Sequence, residues 1–154
     1  MAKELKEKNK SYVQSQELEA YANEVIKKKH MTIPANVAYV LVYPYIGKAV
    51  AGRCIRANSM TKLFGECDYI IQMSGDLWDR LDEERQEILM YHELLHILVT
   101  QDKKGNSVYK LRDHDVQDFE AIIRKYGIEW LSELKDLHAS VYDLEPEALD
   151  NYRL

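Results

Sequence analysis

Between Gln16 and Lys29 the apolar side chains Leu18, Tyr21, Ala22, Val25 and Ile26 recur at the spacing of one helix face. Lys27, Lys28 and Lys29 fall at the C-terminal end of that stretch, where cations suit the helix dipole. The predicted helix stops before Pro34, and the period then changes. NVAYVLVYPYIG (36–47) is rich in β-branched and aromatic residues and closes on Pro and Gly, which predicts a strand. AVAGRCIRANS (49–59) and CDYIIQM (67–73) predict two more, with Gly52 a candidate bulge in the first. Gly47, Asn58–Ser59 and Gly65 supply the turns between them.

Beyond Gly75 the helical period returns. Asp82 suits an N-cap, Glu83 and Glu84 suit the first turn, and Lys103, Lys104 and Gly105 suit a C-terminal end. These signals frame one helix of about 18 residues, roughly 27 Å long at 1.5 Å per residue. A loop to about Arg112 follows. Val116, Phe119, Ile122, Ile123 and Tyr126 then predict a helix from Asp113 to Tyr126, stopped by Gly127. Residues 128–143 read as a further helix, and the acidic stretch 144–154 as a short terminal helix or a frayed tail. No internal repeat or low-complexity segment interrupts this order.

Composition sets bounds on this picture. A chain of 154 residues, 46% hydrophobic and 31% charged, fits a single domain able to bury a core, spanning residues 1–154 with its body at about 16–143. It holds no 18-residue apolar run and opens on charged residues, so the expectation is a cytoplasmic protein with no membrane partner. Cys54 and Cys67 stand thirteen residues apart and read as small buried hydrophobes. Residues 1–63 carry eleven Lys/Arg and five Glu, whereas the remainder is strongly acidic. Mutual neutralisation within one fold explains that split. Its alternative is a basic patch of Lys27, Lys28, Lys29, His30, Lys48, Arg53, Arg56 and Lys62; no reader motif accompanies it, so nucleic-acid binding is expected to be weak at most.

One stretch does not fit a plain core helix. ILMYHELLHILV (88–99) is apolar apart from Tyr91, His92, Glu93 and His96, and burying such groups without partners costs roughly 2 to 7 kcal/mol for a neutral one and more for a charge. His92 and His96 are four residues apart, so on a helix both imidazoles can face one metal ion. Glu93 points about 100° round, to the flank of that site. This is the H-E-x-x-H pattern, in which two imidazoles are ligands and the glutamate stands beside the metal's open position as general base. Five His and fifteen Glu shuffled in this chain would produce it in roughly one order in a hundred. The competing account is a pair of core histidines bonded to Glu93 and backbone.

A catalytic zinc takes a third protein ligand. Val99 and Asp102 exclude the extended H-E-x-x-H-x-x-G-x-x-H form, leaving His114, Glu120 and His138 as candidates. His114, in RDHDVQDF, is the foremost: it follows His96 by eighteen residues across a loop long enough to fold back. Asp113 or Asp115 could orient its ring or simply cap the following helix. Tyr91, Tyr109 and Tyr126 are candidate donors to a developing oxyanion, among eleven tyrosines.

YHELLHILV followed by HDVQDF resembles the SprT/Spartan-like zincins and the phage metallopeptidase domains, in which H-E-L-L-H precedes a later H-D-x-x-D/E-F element. The resemblance covers about residues 36–127. It implies a compact α+β zincin-like fold, with a small mixed or antiparallel sheet of about three strands packed on the H-E-x-x-H helix. It also implies Zn2+ held by His92, His96 and His114, with Glu93 as general base. The four cysteines of a zinc ribbon are absent, so action on DNA-bound proteins is not implied. The expected activity is hydrolysis of a protein or peptide substrate, with DYIIQM as the sheet edge that receives it. The rival is a zinc-holding module that grips a protein or nucleic acid without cleaving it.

Overall fold

A computed structural model describes residues 4–7, 9–114, 119–150, 152 and 154. The chain opens with a hairpin absent from the predicted elements, β1 (Glu4–Glu7) and β2 (Lys10–Gln14), paired from Glu4↔Val13 to Glu7↔Lys10. Its turn holds Asn9 at φ 68, a conformation that Asn tolerates.

Helix α1 (Gln16–Lys28) matches its prediction. Ser15 caps it by accepting from the Leu18 amide at 3.0 Å, and Leu18, Ala22 and Val25 form the buried stripe. Strands β3 (Val37–Tyr43) and β4 (Gly52–Arg56) follow, then a short exposed helix α2 (Ser59–Gly65) and β5 (Tyr69–Ser74). The order in the sheet is β1-β2-β3-β5-β4, with β3 and β5 parallel and every other pair antiparallel. The fold is therefore α+β, but its main sheet has five strands where about three were predicted. Both additional strands come from the charged N-terminal segment.

That order changes which strand is the edge. β5, read from the sequence as the receiving edge, lies between β3 and β4 and is bonded on both sides. The edges are β1 and β4, and Arg53 and Arg56 on β4 are the kind of charged side chain that edges carry. Gly52 begins β4 in regular register opposite Met73, so it forms no bulge.

Two helices lead from the sheet to the H-E-x-x-H segment: α3 (Gly75–Arg80), absent from the predicted elements, and α4 (Glu83–Leu95). Asp82 caps α4 as predicted, accepting from the Arg85 amide at 2.9 Å. Its C-terminal end differs: α4 has 13 residues, and His96 is its C-cap. The chain then forms a second, two-stranded sheet from β6 (Ile97–Gln101) and β7 (Ser107–Leu111). Ile97, Val99 and Thr100 are β-branched, which favours a strand over further helix. Lys103, Lys104 and Gly105, read as a helix end, instead make the hairpin turn. Asp102 Oδ1 accepts from the amides of Lys104 and Asn106, both at 2.9 Å, and Gly105 takes φ +82.

Helix α5 (Glu120–Tyr126) begins seven residues later than the predicted Asp113 start, and α6 (Glu129–Tyr142) and a 3-10 turn at Pro146–Leu149 complete the chain. Ile71, Met73, Leu89, Met90 and Leu94 are fully buried where the main sheet meets α4. Truncating one of them, as in Leu89→Ala, costs about 2 to 5 kcal/mol. Both cysteines are buried thiols. Among the described residues no helix is long and apolar enough to cross a membrane.

Candidate metal centre

The last turn of α4 carries His92, fully buried, and the helix stops at His96, which is half-buried. His114, three residues beyond β7, returns to meet them. Its Nε2 lies 2.9 Å from Nε2 of His92 and 3.0 Å from Nε2 of His96. A ligand atom from each of the three rings falls within 4.8 Å of the other two. Of the candidate third ligands, the structure thus brings His114 to the pair. His138 sits elsewhere, with Nδ1 2.7 Å from the Tyr152 hydroxyl and Nε2 2.7 Å from the Lys48 carbonyl. The side chain of Glu120 and the whole of Asp115 lie outside the described residues.

The β6–β7 hairpin fixes the orientation of His96. The Arg112 amide donates to the His96 carbonyl at 2.7 Å, and the Arg112 carbonyl accepts from His96 Nδ1 at 2.8 Å. A carbonyl only accepts, so Nδ1 carries the ring proton and Nε2 presents a lone pair to the cluster. Outer-shell bonds of this kind set the tautomer of metal-binding histidines. For His114 the expected orienting groups were the carboxylates of Asp113 or Asp115, of which Asp115 lies outside the described residues. Asp113 is exposed, and the backbone of Arg112 supplies the bond for His96. No residue-type signal could have marked a carbonyl for this task.

Phe119 closes the apolar side. It is 1% exposed, and its ring centroid stands 5.0 Å from His92, 5.0 Å from His96 and 5.3 Å from His114. Burial is the main reason that the His96 imidazolium is disfavoured, with smaller opposing and reinforcing effects from the Arg112 carbonyl and from His92 and His114. Together they lower its pKa to about 4. The ring is neutral at physiological pH, as a metal ligand must be.

Glu93 is fully buried and faces the edge strand. A Cβ built on Gly52 would stand 3.0 Å from Glu93 Oε1 and 3.0 Å from Met73 Sδ, so any larger residue there would crowd the carboxylate and force these side chains to shift. Neighbouring Cys54 feels the same group: burial, then the Glu93 charge, pushes its thiol pKa up. Sequence reading took Gly52 for a bulge and missed this contact, which depends on strand order.

The tyrosine candidates are engaged with other groups. Tyr126 donates to Glu87 Oε2 at 2.8 Å, Lys29 Nζ stands over the rings of Tyr91 and Tyr126 at 5.0 and 4.9 Å, and Tyr109 packs on Tyr69 under Lys62. The basic residues also have partners inside the molecule. Lys28 pairs with Glu87 at 2.5 Å, Lys62 with Asp68 at 3.0 Å, Arg53 with Gln72 and Arg56 with the Tyr109 carbonyl.

The donor set fits a transition-metal ion. With the His96 proton on Nδ1, a proton on His114 Nε2 could only be shared between two acceptors, whereas one divalent cation meets three lone pairs together. Tetrahedral bonds of about 2.0 to 2.1 Å place nitrogens roughly 3.3 Å apart, a few tenths of an ångström from the two spacings to His114. Residues 10–142 match a family model described as "Putative phage metallopeptidase". No curated protein and no solved structure matches.

Proposed function

The chain belongs to this phage metallopeptidase family, and on that footing we propose that it is a zinc-dependent peptidase acting on a protein substrate. The supporting observation is the convergence of three imidazole Nε2 atoms beside a buried glutamate one residue from the first of them. In this reading His92, His96 and His114 hold the ion and Glu93 is the general base. Bound zinc supplies Lewis acidity, lowering the pKa of coordinated water from 15.7 towards ~7.

The chain's own residues do the rest. The carboxylate of Glu93 accepts a proton from the attacking water and returns it to the departing amine. Phe119 and the buried end of α4 keep the surroundings apolar, which strengthens the electrostatics of the site. β4 is an edge strand of the main sheet beside Glu93, so an extended peptide added there as one more strand would bring its scissile carbonyl to the water that Glu93 activates.

Glu93→Gln tests the assignment. The amide keeps the shape of the side chain but accepts no proton, so cleavage of a denatured protein should fall about 10²- to 10⁴-fold at equal metal content. Equal cleavage by parent and variant would remove Glu93 from the mechanism. Loss of metal in the variant would make Glu93 a ligand.

A further inference from the structure

Helix α2 turns its apolar side outward. Met60, Leu63 and Phe64 stand at i, i+3 and i+4, one face of a helix. They are 70%, 75% and 82% exposed, the three most exposed large apolar side chains among the described residues. The polar residues of α2 face the molecule instead. Thr61 and Lys62 are half-buried, and the Thr61 amide and hydroxyl donate to Asn58 Oδ1 at 2.8 and 2.9 Å. Lys62 Nζ pairs with Asp68 at 3.0 Å and stands 4.0 Å from the centroid of the Tyr109 ring. Polar contacts therefore hold the helix in place, and none of its residues is buried. A face that adds nothing to the core and exposes three adjoining large apolar groups marks an interaction site.

The surroundings narrow what can occupy it. Residues 47–65 carry Lys48, Arg53, Arg56 and Lys62 and no carboxylate. Arg53 and Arg56 are exposed and bond neutral groups, the Gln72 amide oxygen and the Tyr109 carbonyl, so their charge suits a partner that brings carboxylates. A second copy laid face to face would set these like charges against one another. Three side chains of this size, at roughly 150 to 250 Å² each, also fall short of the ~800 Å² that each partner of a stable dimer gives up. A short acidic segment with an apolar pair needs no more surface than this. The location agrees: α2 follows β4 after two residues, and Gly52, which faces Glu93, begins β4. From Gly52 to Arg56 is about 13 Å of strand, which an extended chain crosses in about four residues.

We propose that Met60, Leu63 and Phe64 form a docking face for the protein substrate. It takes large apolar side chains from an extended segment whose carboxylates meet the cations of β4, a few residues from the bond cleaved. The consequence rests on the peptidase reading, whereas the docking itself requires only this surface.

The test uses zinc-replete Glu93→Gln, so that cleavage does not consume the probe, and a fluorescein-labelled peptide with a Phe-Leu pair flanked by aspartates. Adding Leu63→Ser and Phe64→Ser together should raise the Kd read by anisotropy about tenfold, and Phe64→Ser alone should raise it by a smaller factor. A peptide with lysines in place of the aspartates should bind about tenfold more weakly than the acidic one, by a margin that narrows as salt is added. With Glu93 intact, the double substitution should lower kcat/KM on a denatured protein by a similar factor, through KM. Equal Kd with and without the double substitution would overturn the docking face, and equal Kd for the two peptides would overturn its acidic preference. Weaker peptide binding with unchanged kcat/KM would overturn its role in substrate capture. Weaker binding with no cleavage by any chain would leave the docking face standing and refute the peptidase reading. Unchanged peptide affinity, together with loss of a dimer in sedimentation or of binding to phosphatidylglycerol vesicles, would assign the face to a second copy or to a lipid surface instead. Both side chains are exposed, so the melting temperature should stay that of the parent. Should the double variant melt well below it, Phe64→Ser decides by the same readouts.

Discussion

His138 and His92 are both fully buried and both ringed by aromatic side chains, but their nitrogens meet opposite surroundings. Around His138 two oxygens match the two ring nitrogens: the Lys48 carbonyl takes the proton on Nε2 and the Tyr152 hydroxyl gives one to Nδ1. At Nε2 of His92 the neighbours are other imidazoles, with His114 Nε2 at 2.9 Å and His96 Nε2 beyond it. A histidine matched by oxygens is a structural hydrogen-bonding group. Three histidines whose acceptor nitrogens face one another make a site for a cation. What distinguishes the two regions is therefore the chemistry of the partners, since burial is the same.

The sharpest way to break this contrast is to delete one histidine from each region. His114→Ala should weaken zinc binding by more than about 100-fold, since loss of an outer-shell partner alone costs 10- to 100-fold. A competition titration against a chromophoric chelator reads the change. His138→Phe should leave that affinity within a factor of about two. Weakened zinc binding by His138→Phe, or its retention in His114→Ala, would mean the two regions had been assigned the wrong way round.

Stability should reverse the ranking. In His138→Phe the Lys48 carbonyl and the Tyr152 hydroxyl lose their buried partner, a cost of about 1 to 3 kcal/mol. The midpoint of urea unfolding should fall accordingly in the metal-free protein. His114→Ala removes a half-buried ring from a crowded cluster and should move that midpoint less. A larger loss in His114→Ala would show that the three-histidine cluster is structural.

Acidification bears on both regions at once. His96 titrates at about 4 in the folded chain, lowered chiefly by burial, against an ordinary value near 6.5 for an unfolded histidine. Between those values the unfolded state binds the extra proton, so stability rises with pH and is lost as pH falls from about 6.5 towards 4. Burial lowers His138 in the same direction. Metal-free protein should therefore weaken over this window, and His96→Asn should weaken less steeply. A parent midpoint that rises on acidification would contradict the burial of neutral rings.

The site was legible in the sequence wherever a residue type at a fixed spacing carried it. His92, Glu93 and His96 are set by one helical turn, and Asp82 announces the start of their helix by local capping chemistry. The features that escaped depend on which segments pair. The β1–β2 hairpin lacks an apolar alternation, and its place is fixed by β2 pairing with β3. Strand order put β4 at the edge and β5 inside, although the charged Arg53 and Arg56 hinted at it. The turn residues Asp102 to Gly105 fit a helix end as well as a hairpin, and only the β-branched Ile97, Val99 and Thr100 argued for the latter. Phe119 was read as one apolar position on a helix face. Its contact with all three histidines required the loop to bring His114 home.

The central claim is that His92, His96 and His114 together hold one ion, and X-ray absorption on the purified, zinc-replete chain tests it most directly. One zinc per chain with three imidazole ligands, lost in His114→Ala and kept in His138→Phe and Glu93→Gln, is the predicted result. A chain that binds no transition metal, or whose zinc shell is unchanged in His114→Ala, would contradict it.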